Sequence, residues 1–265
     1  MSLRALLVGD VVGGPGRRMV VKSLEKLRET HRLDFCIVNA ENASGGSGLT
    51  RANARELLRT GTDVITMEDH VWNRKELPAF SEKEPRILRP YNHSPLAAGT
   101  GMGVYTLPSG VKIAVLSLVG RVFTKPADCP FRSADTALKI LEEETPNILV
   151  DLHEEATAEK IALGWYLDGR VTAVMGTHTH VQTADERLLH KGTAFICDVG
   201  MTGPYDSVLG RRKDRVIQAT ITQMPFPFDV ARNEVRLCGA IVTFDEATGR
   251  AQAIERVNLS EDEPL

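Results

Sequence analysis

The stretch ALLVGD at residues 5–10 decides the fold, because a short apolar run ends there in a glycine and an aspartate. A segment with apolar residues at helical spacing follows, and a second apolar run, FCIV, occupies residues 35–38. The alternation continues through a third strand-like run from Val64 to Met67. Alternating strands and helices predict βαβ units and a largely parallel central sheet.

Two hairpins are predicted outside these units. Gly103 to Leu107 pairs with Val111 to Leu118 across Pro-Ser-Gly, and Val235 to Phe244 pairs with Ala251 to Val257. Parallel strands with hairpins at the margins predict an α/β fold, a four-layer α/β/β/α sandwich of two mixed sheets. We expect a single domain over residues 1–265.

Composition narrows the class of protein. A net charge of −3 does not favour binding to a long nucleic-acid duplex, whose backbone is negatively charged. A hydrophobic share of 42% is ordinary for a globular protein. The cysteines are far apart and form no CxxC pair, which indicates a reducing compartment. The first apolar run is too short for a signal segment, and no window approaches a membrane span. These features predict a cytoplasmic protein with no membrane partner.

Polar residues of the kind that bind metals follow five of the apolar runs. They are Asp10; Asn39, Glu41 and Asn42; Asp69 and His70; Asp151 and His153; and His178 and His180. Because the carboxyl ends of parallel strands lie on one rim of a sheet, these side chains are predicted to converge. Chance placement of polar residues at strand ends accounts for one or two such clusters, not for five.

The residue types fit a pair of metal ions. Imidazole suits zinc and iron, carboxylate suits manganese and magnesium, and mixed sets suit a hydrolytic centre with two metals. Glu41 is the best candidate to bridge them, since it is central in the richest cluster. His178 and His180 alternate after a strand, and in an extended chain alternate side chains point the same way. Two open alternatives are that Asp10 caps the following helix and that His153 is a helix-entry residue. His31, His93 and His190 are predicted at the surface.

Together, Gly9-Asp10, Asn39-Ala40-Glu41-Asn42, Asp69-His70, His153 and Gly176-Thr177-His178-Thr179-His180 resemble the calcineurin-like metallophosphoesterases, and most closely their YmdB-like bacterial branch. The similarity runs over nearly the whole chain. The broader superfamily usually has Asp-x-His at the first strand and an aspartate as the bridge. This chain has Asp10-Val11-Val12 and Glu41, as that branch does.

The resemblance implies a role for each matching residue. Asp10, Glu41, Asn42 and His180 would surround the first metal, and Glu41, Asp69, His153 and His178 the second. His70 would donate a proton to the leaving alkoxide after a metal-bridging hydroxide attacks phosphorus. The implied activity is that of a phosphodiesterase acting on small phosphodiesters, among them cyclic nucleotides and 2′,3′-cyclic nucleotides. The implied cofactors are two metal ions, iron with manganese and zinc as alternatives, and the implied assembly is a homo-oligomer.

One position departs from the branch. Its pattern is Gly-Asn-His, whereas this chain has Glu68-Asp69-His70. Two divalent ions carry four positive charges, and Asp10, Glu41, Asp69 and a hydroxide carry four negative ones. A neutral centre attracts an anionic diester less and holds its metals more tightly, and one ferric ion would restore the missing charge. The substitution therefore keeps an alternative open, a non-catalytic metal-containing regulatory or binding protein.

Two long segments without a strand or helix pattern, Val119 to Arg132 and Asp198 to Arg212, remain. Long loops more often line a site than not, so we expect both beside the metals; inert surface insertion is the alternative.

Overall fold

The computed structural model describes residues 1–263. Its strands are β1 (Ser2–Val8), β2 (Phe35–Asn39), β3 (Val64–Thr66), β4 (Ile87–Leu88), β5 (Met102–Thr106), β6 (Lys112–Val119), β7 (Ile148–His153), β8 (Ala173–Thr177), β9 (Arg187–Leu188), β10 (Ala194–Ile196), β11 (Gly203–Pro204), β12 (Val235–Asp245) and β13 (Ala251–Ser260). Its α-helices are α1 (Gly13–His31), α2 (Arg51–Arg59), α3 (Leu77–Ser81), α4 (Pro130–Leu141), α5 (Thr157–Leu167) and α6 (Lys213–Thr222), with a 3₁₀ turn at Val71–Asn73.

The strands form two mixed sheets, as predicted. In the first, β1, β2, β3 and β4 run parallel in that order, and β12 joins the free side of β1 in antiparallel orientation. In the second, β6, β7, β8 and β10 are parallel, with β5 and β9 antiparallel at the two edges. Both predicted hairpins are present, β5–β6 at one edge of the second sheet and β12–β13 at one edge of the first.

Side-chain alternation along β1 shows how the layers stack. Ala5 and Leu7 belong to the core between the two sheets, while Leu6 and Val8 belong to the core under α1 and α2. Successive side chains of a strand point to opposite faces, so one strand serves both cores. A third core packs α4 and α5 against the outer face of the second sheet. The predicted four-layer sandwich is therefore confirmed.

The boundaries differ from expectation at a few points. The sequence places Asp151 and His153 after an apolar run, whereas strand β7 includes both, because parallel pairing with β6 and β8 extends to His153. Helix α2 is capped by Thr50, whose hydroxyl accepts the amide of Asn53 at 3.3 Å. Helix α6 was not predicted, and none of its residues is buried. Of the helices in the described part of the chain, none is long and apolar enough to cross a membrane.

Candidate metal centre

The predicted side chains from the first sheet meet beyond the carboxyl ends of β1, β2 and β3. His70 Nδ1 lies 2.7 Å from Glu41 Oε1 and 3.2 Å from Asn42 Oδ1. Asn42 Nδ2 lies 3.3 Å from His180 Nε2, which is 3.5 Å from Asp10 Oδ1. Four of the five predicted clusters therefore touch through these residues.

The second sheet adds His153 and His178. His153 Nε2 lies 3.6 Å from Asp69 Oδ1, and the rings of His153 and His178 pack edge to face with centroids 4.1 Å apart. The backbone amide of His178 donates to Asp10 Oδ2 at 3.1 Å. All eight predicted residues thus lie in one connected group between the two sheets.

Two glycines allow the strands to end this close together. A Cβ on Gly9 would lie 1.9 Å from Gly200 O, and a Cβ on Gly176 would lie 1.8 Å from Cys197 O. The segment at residues 197–200 can therefore pass against the ends of β1 and β8 only because both positions lack a side chain. Gly9 immediately precedes Asp10, and Gly176 lies two residues before His178.

His178 and His180 reach the centre in a way that the sequence did not predict. Strand β8 ends at Thr177, and both histidines have positive φ, 92° and 63°. The expectation of an extended chain with alternating side chains is wrong there, although both rings do face the centre. Left-handed backbone at a non-glycine residue costs about 1–3 kcal/mol and is concentrated at functional sites.

A buried ion pair holds this left-handed turn. Lys160 Nζ donates to Thr177 O at 2.6 Å and to Asp198 Oδ2 at 2.8 Å. The same carboxylate oxygen accepts the amide and the hydroxyl of Thr179, at 2.9 and 2.7 Å. Contacts on both sides of His178 therefore fix the turn.

The two alternative roles for Asp10 and His153 do not fit the structure. Helix α1 begins after Val12 and has no side-chain cap, so Asp10 does not cap it. His153 is the last residue of β7 and is 2% exposed, so it is not a helix-entry residue.

Burial and ion pairing shift the pKa values of the carboxyl groups in opposite directions. Burial would raise the pKa of Asp10, but the charge of the neighbouring His180 holds it well below its usual range. Burial likewise opposes the shift at Asp69, and the nearby imidazole of His153 lowers the pKa of that carboxyl. Burial dominates at Glu41 and Glu68, whose pKa values are raised.

The histidines respond to the same charges. A hydrogen bond with Glu41 raises the pKa of His70. Burial opposes but neighbouring carboxylates raise the pKa of His153 and of His180, while burial and the charge of His153 lower that of His178.

The donor atoms fit metal ions. Two groups each place ligand atoms within 4.8 Å of one another, Asp10 with Glu68 and His153, and Glu41 with Asp69 and His70. Asp10 Oδ1 and Glu68 Oε2 are buried and accept no directed hydrogen bond within residues 1–263, although His180 Nε2 lies 3.5 Å from the first and His153 Nδ1 contacts the second. Unsatisfied buried acceptors at this density are costly unless a cation lies between them.

This grouping differs from the division that the resemblance implies. The resemblance assigns Asp10 to the first metal and His153 to the second. In the structure, His153 lies close to Asp10 as well as to Asp69.

Glu68 and Glu155 were missed by sequence reasoning. Glu68 is 1% exposed and follows β3, so the positional argument that selected Asp69 and His70 applies to it equally. Glu155 Oε2 lies 2.7 Å from His178 Nε2, and the sequence carries no separate signal for it beyond its nearness to His153.

Both long loops contact the centre. Lys125 Nζ, in the first loop, donates to Asp69 O at 2.8 Å and lies 3.4 Å from its Oδ2. Leu209 O, in the second, lies 3.1 Å from His180 Nδ1. The expectation that these loops line the site is confirmed, and the carbonyl of Leu209 leaves His180 Nε2 facing inward.

Two facing mixed sheets with acidic and histidine side chains gathered at their carboxyl ends define the metallophosphoesterase class of fold. Within that class, the chain matches the family described as YmdB-like protein over residues 6–257. The chain belongs to this family, which confirms the resemblance found in the sequence.

Curated relatives and solved structures agree with this membership. The chain is 45% identical over 260 residues to the 2′,3′-cyclic-nucleotide 2′-phosphodiesterase of Bacillus subtilis, with 98% of each protein covered. It is 33% identical over 271 residues to a putative phosphatase/phosphodiesterase of Mycoplasma pneumoniae, covering 99% of this chain and 95% of the relative. A crystal structure of a hypothetical protein from Thermus thermophilus superposes with a TM-score of 0.92 at 39% identity, covering 98% of this chain and all of the other.

Proposed function

We propose that this chain is a metal-dependent phosphodiesterase that hydrolyses small phosphodiesters, cyclic nucleotides in particular. The observation that carries the proposal is the connected group of carboxylate, amide and imidazole side chains between the two sheets. The 2′,3′-cyclic-nucleotide 2′-phosphodiesterase, 45% identical over almost the whole chain, supports the choice of substrate class.

Two metal ions would be held by the seven predicted ligands, which are Asp10, Glu41, Asn42, Asp69, His153, His178 and His180. When bound, such ions activate water and neutralise the charge that develops on the phosphoryl oxygens. The number of carboxylates at the centre favours iron, with manganese and zinc as alternatives, because a trivalent ion best offsets their charge.

His70 is the proposed proton donor to the leaving oxygen. Its side chain is 34% exposed, so a substrate can reach it, and Glu41 and Asn42 both contact Nδ1. These contacts orient the ring and leave Nε2 available to a substrate, which is the geometry that general acid catalysis requires.

The proposed cellular setting rests on the cysteines and on one exposed helix. Four free cysteines, three of them buried, suit a reducing compartment, which supports the cytoplasm. Helix α6 exposes Ile217 and Ile221, and an apolar helix face of this kind supports self-association into a homo-oligomer.

Turnover of a chromogenic phosphodiester and of 2′,3′-cyclic AMP by purified protein tests the proposal. We expect Glu41→Gln and His70→Ala each to lower turnover by about 10²–10⁴-fold, the range of general acid–base contributions. His31→Ala, a histidine at the end of α1, serves as the control and should retain wild-type turnover. Equal residual rates in wild type and both site variants would show a contaminating activity and defeat the proposal in favour of a non-catalytic metal-binding protein.

A further inference from the structure

Glu68 and Asp10 share an unusual bonding pattern. Thr177 Oγ1 donates to Glu68 Oε1 at 2.6 Å, and Asn39 also contacts that oxygen, while Oε2 has no hydrogen-bond partner in the described chain. Asp10 likewise receives a backbone amide on Oδ2 and leaves Oδ1 without one. Each carboxylate is therefore anchored through one oxygen and presents the other, which is how protein carboxylates hold a metal ion on one side and the second shell on the other.

We propose that Glu68 is an eighth metal ligand, which binds a cation together with Asp10 and His153 of the seven predicted ones. The three ligand atoms lie within 4.8 Å of one another, and all three residues are at most 2% exposed. A carboxylate brought this deep into the fold needs a cationic partner. His153 Nδ1 contacts Glu68 Oε2 directly, but His153 Nε2 also lies 3.6 Å from Asp69 Oδ1, and a single imidazolium cannot neutralise both carboxylates.

A ligand role for Glu68 would change which metal ions the centre prefers; this inference rests on the proposed function. A further carboxylate makes the centre more anionic, which favours tight binding and a hard cation of high charge.

Metal binding by calorimetry, without any activity assay, tests the ligand role. We expect Glu68→Gln to weaken one of two Mn²⁺ sites by about 10-fold or more, in line with the loss of a ligating or adjacent group. Glu186→Gln is the matched control, since Glu186 Oε2 is also buried without a hydrogen-bond partner in residues 1–263, but this carboxylate pairs with Arg256 of β13 and belongs to neither group of candidate ligand atoms. It should bind Mn²⁺ like wild type.

Each other outcome is decisive. If Glu68→Gln binds Mn²⁺ like wild type, Glu68 is not a ligand. If wild type itself binds no Mn²⁺, Fe²⁺ or Zn²⁺, the proposed function fails with it. Should Glu68→Gln not fold, Glu68→Asp keeps the charge but withdraws the carboxylate by one methylene, and undiminished binding there would also overturn the proposal.

A separate observation concerns a cavity of about 730 Å³ that adjoins the centre. Asp69 and Lys125 form its wall toward the metals, and the indole of Trp72, 36% exposed, and the half-buried His93 line it further out. Its volume lies in the range of pockets that enclose a small organic ligand. Sequence reasoning left His93 at the surface, whereas the structure places it in this wall.

We propose that this cavity binds the nucleobase of the substrate, with Trp72 as the stacking surface; this inference rests on the proposed function. The cavity begins where the phosphate would lie, and Lys125 Nζ, bound to Asp69 O, is 60% exposed beside it. Indole and imidazole faces suit planar bases without selecting among them, because every base has a π face.

Two substrates, one with a base and one without, distinguish a defect in base binding from a defect in phosphodiester hydrolysis. Stacking contributes about 1–3 kcal/mol, so Trp72→Ala should raise KM for 2′,3′-cyclic AMP by about 10-fold with little change in kcat. KM for ribose 2′,3′-cyclic phosphate, which has no base, should not change. Trp165→Ala, the other tryptophan and similarly exposed, should alter neither.

Equal losses on both substrates, or none on either, would overturn the base site while leaving the phosphodiesterase intact. Failure of wild type to cleave either substrate would overturn the proposed function instead. Binding offers a second readout: 3′-AMP should quench the fluorescence of Trp165→Phe protein, whose one tryptophan is then Trp72.

Discussion

The charge on Asp69 sets how strongly the centre attracts an anionic substrate. The nearby imidazole of His153 keeps the pKa of Asp69 low, so the side chain is negatively charged where the family pattern has a neutral asparagine. We expect Asp69→Asn to raise kcat/KM for a diester at saturating metal by about 3–10-fold, since removing one nearby charge is worth about 1 kcal/mol at the edge of a protein.

The same variant should need more metal to reach saturation. Asp214→Asn removes an equal charge from exposed α6 and serves as the control. An unchanged rate for Asp69→Asn would show that the net charge of the centre does not limit this enzyme.

Residue types alone identified most of the candidate centre. Each predicted residue follows a strand or, in the case of His153, ends one, and this position is visible in the sequence because apolar runs end abruptly. Glu68 was overlooked because it occupies a position where the family pattern has glycine, so the resemblance suggested no role for it. Glu155 lies on a loop, whose path the sequence does not specify.

At the scale of single elements, the turn after β8 depends on the Lys160–Asp198 pair. Both side chains are at most 1% exposed, and together they bond Thr177 and Thr179 on either side of His178. Breaking a buried pair by removing one partner leaves an uncompensated charge, which costs about 3–5 kcal/mol. We expect Asp198→Asn to lose about that much stability in urea unfolding of the metal-free protein.

An exposed ion pair tests whether burial is the reason for the expected loss of stability. Lys112 and Glu144 lie 2.6 Å apart but both are about half exposed, so Glu144→Gln should leave the unfolding midpoint close to wild type. A loss for Asp198→Asn no larger than for Glu144→Gln would mean that the pair does not hold the turn.

Strands and helices were predicted where the burial of one face gives the sequence a regular spacing of apolar residues. They were missed where no such spacing exists. Strands β1, β2 and β3 are apolar runs flanked by polar residues, so their existence was predicted. Strands β4, β9 and β11 have two residues each, too few for a pattern. Helix α6 buries nothing, and its β-branched residues carry no helical signal. The left-handed turn at His178 depends on Lys160 and Asp198, which are distant in sequence, so no local pattern reveals it.

At the scale of the whole molecule, the two sheets share one core but contribute separately to the centre. Asp10, Glu41, Asn42 and Asp69 follow strands of the first sheet, and the histidines 153, 178 and 180 belong to or follow strands of the second. The four-layer arrangement could be predicted because hairpins and βαβ units each leave a sheet face to be buried. The two sheets face each other because they share a hydrophobic core, and this packing brings the two halves of the centre together. No sequence motif specifies it.

Bound metal should therefore tie the two sheets together and stabilise the whole fold. Buried oxygens of Asp10 and Glu68 accept no directed hydrogen bond within residues 1–263 and would gain a metal partner. A ligand that binds the folded state alone adds about 2.7 kcal/mol of stability at 100 times its Kd. For a chain of this size we expect Mn²⁺ to raise the unfolding temperature by roughly 5–10 °C over chelator-treated protein. Differential scanning calorimetry measures this directly, and Glu41→Gln should abolish most of the shift, whereas His31→Ala should keep it. A wild-type unfolding temperature that is the same with chelator and with Mn²⁺, Fe²⁺ or Zn²⁺ would mean that no cation joins the sheets.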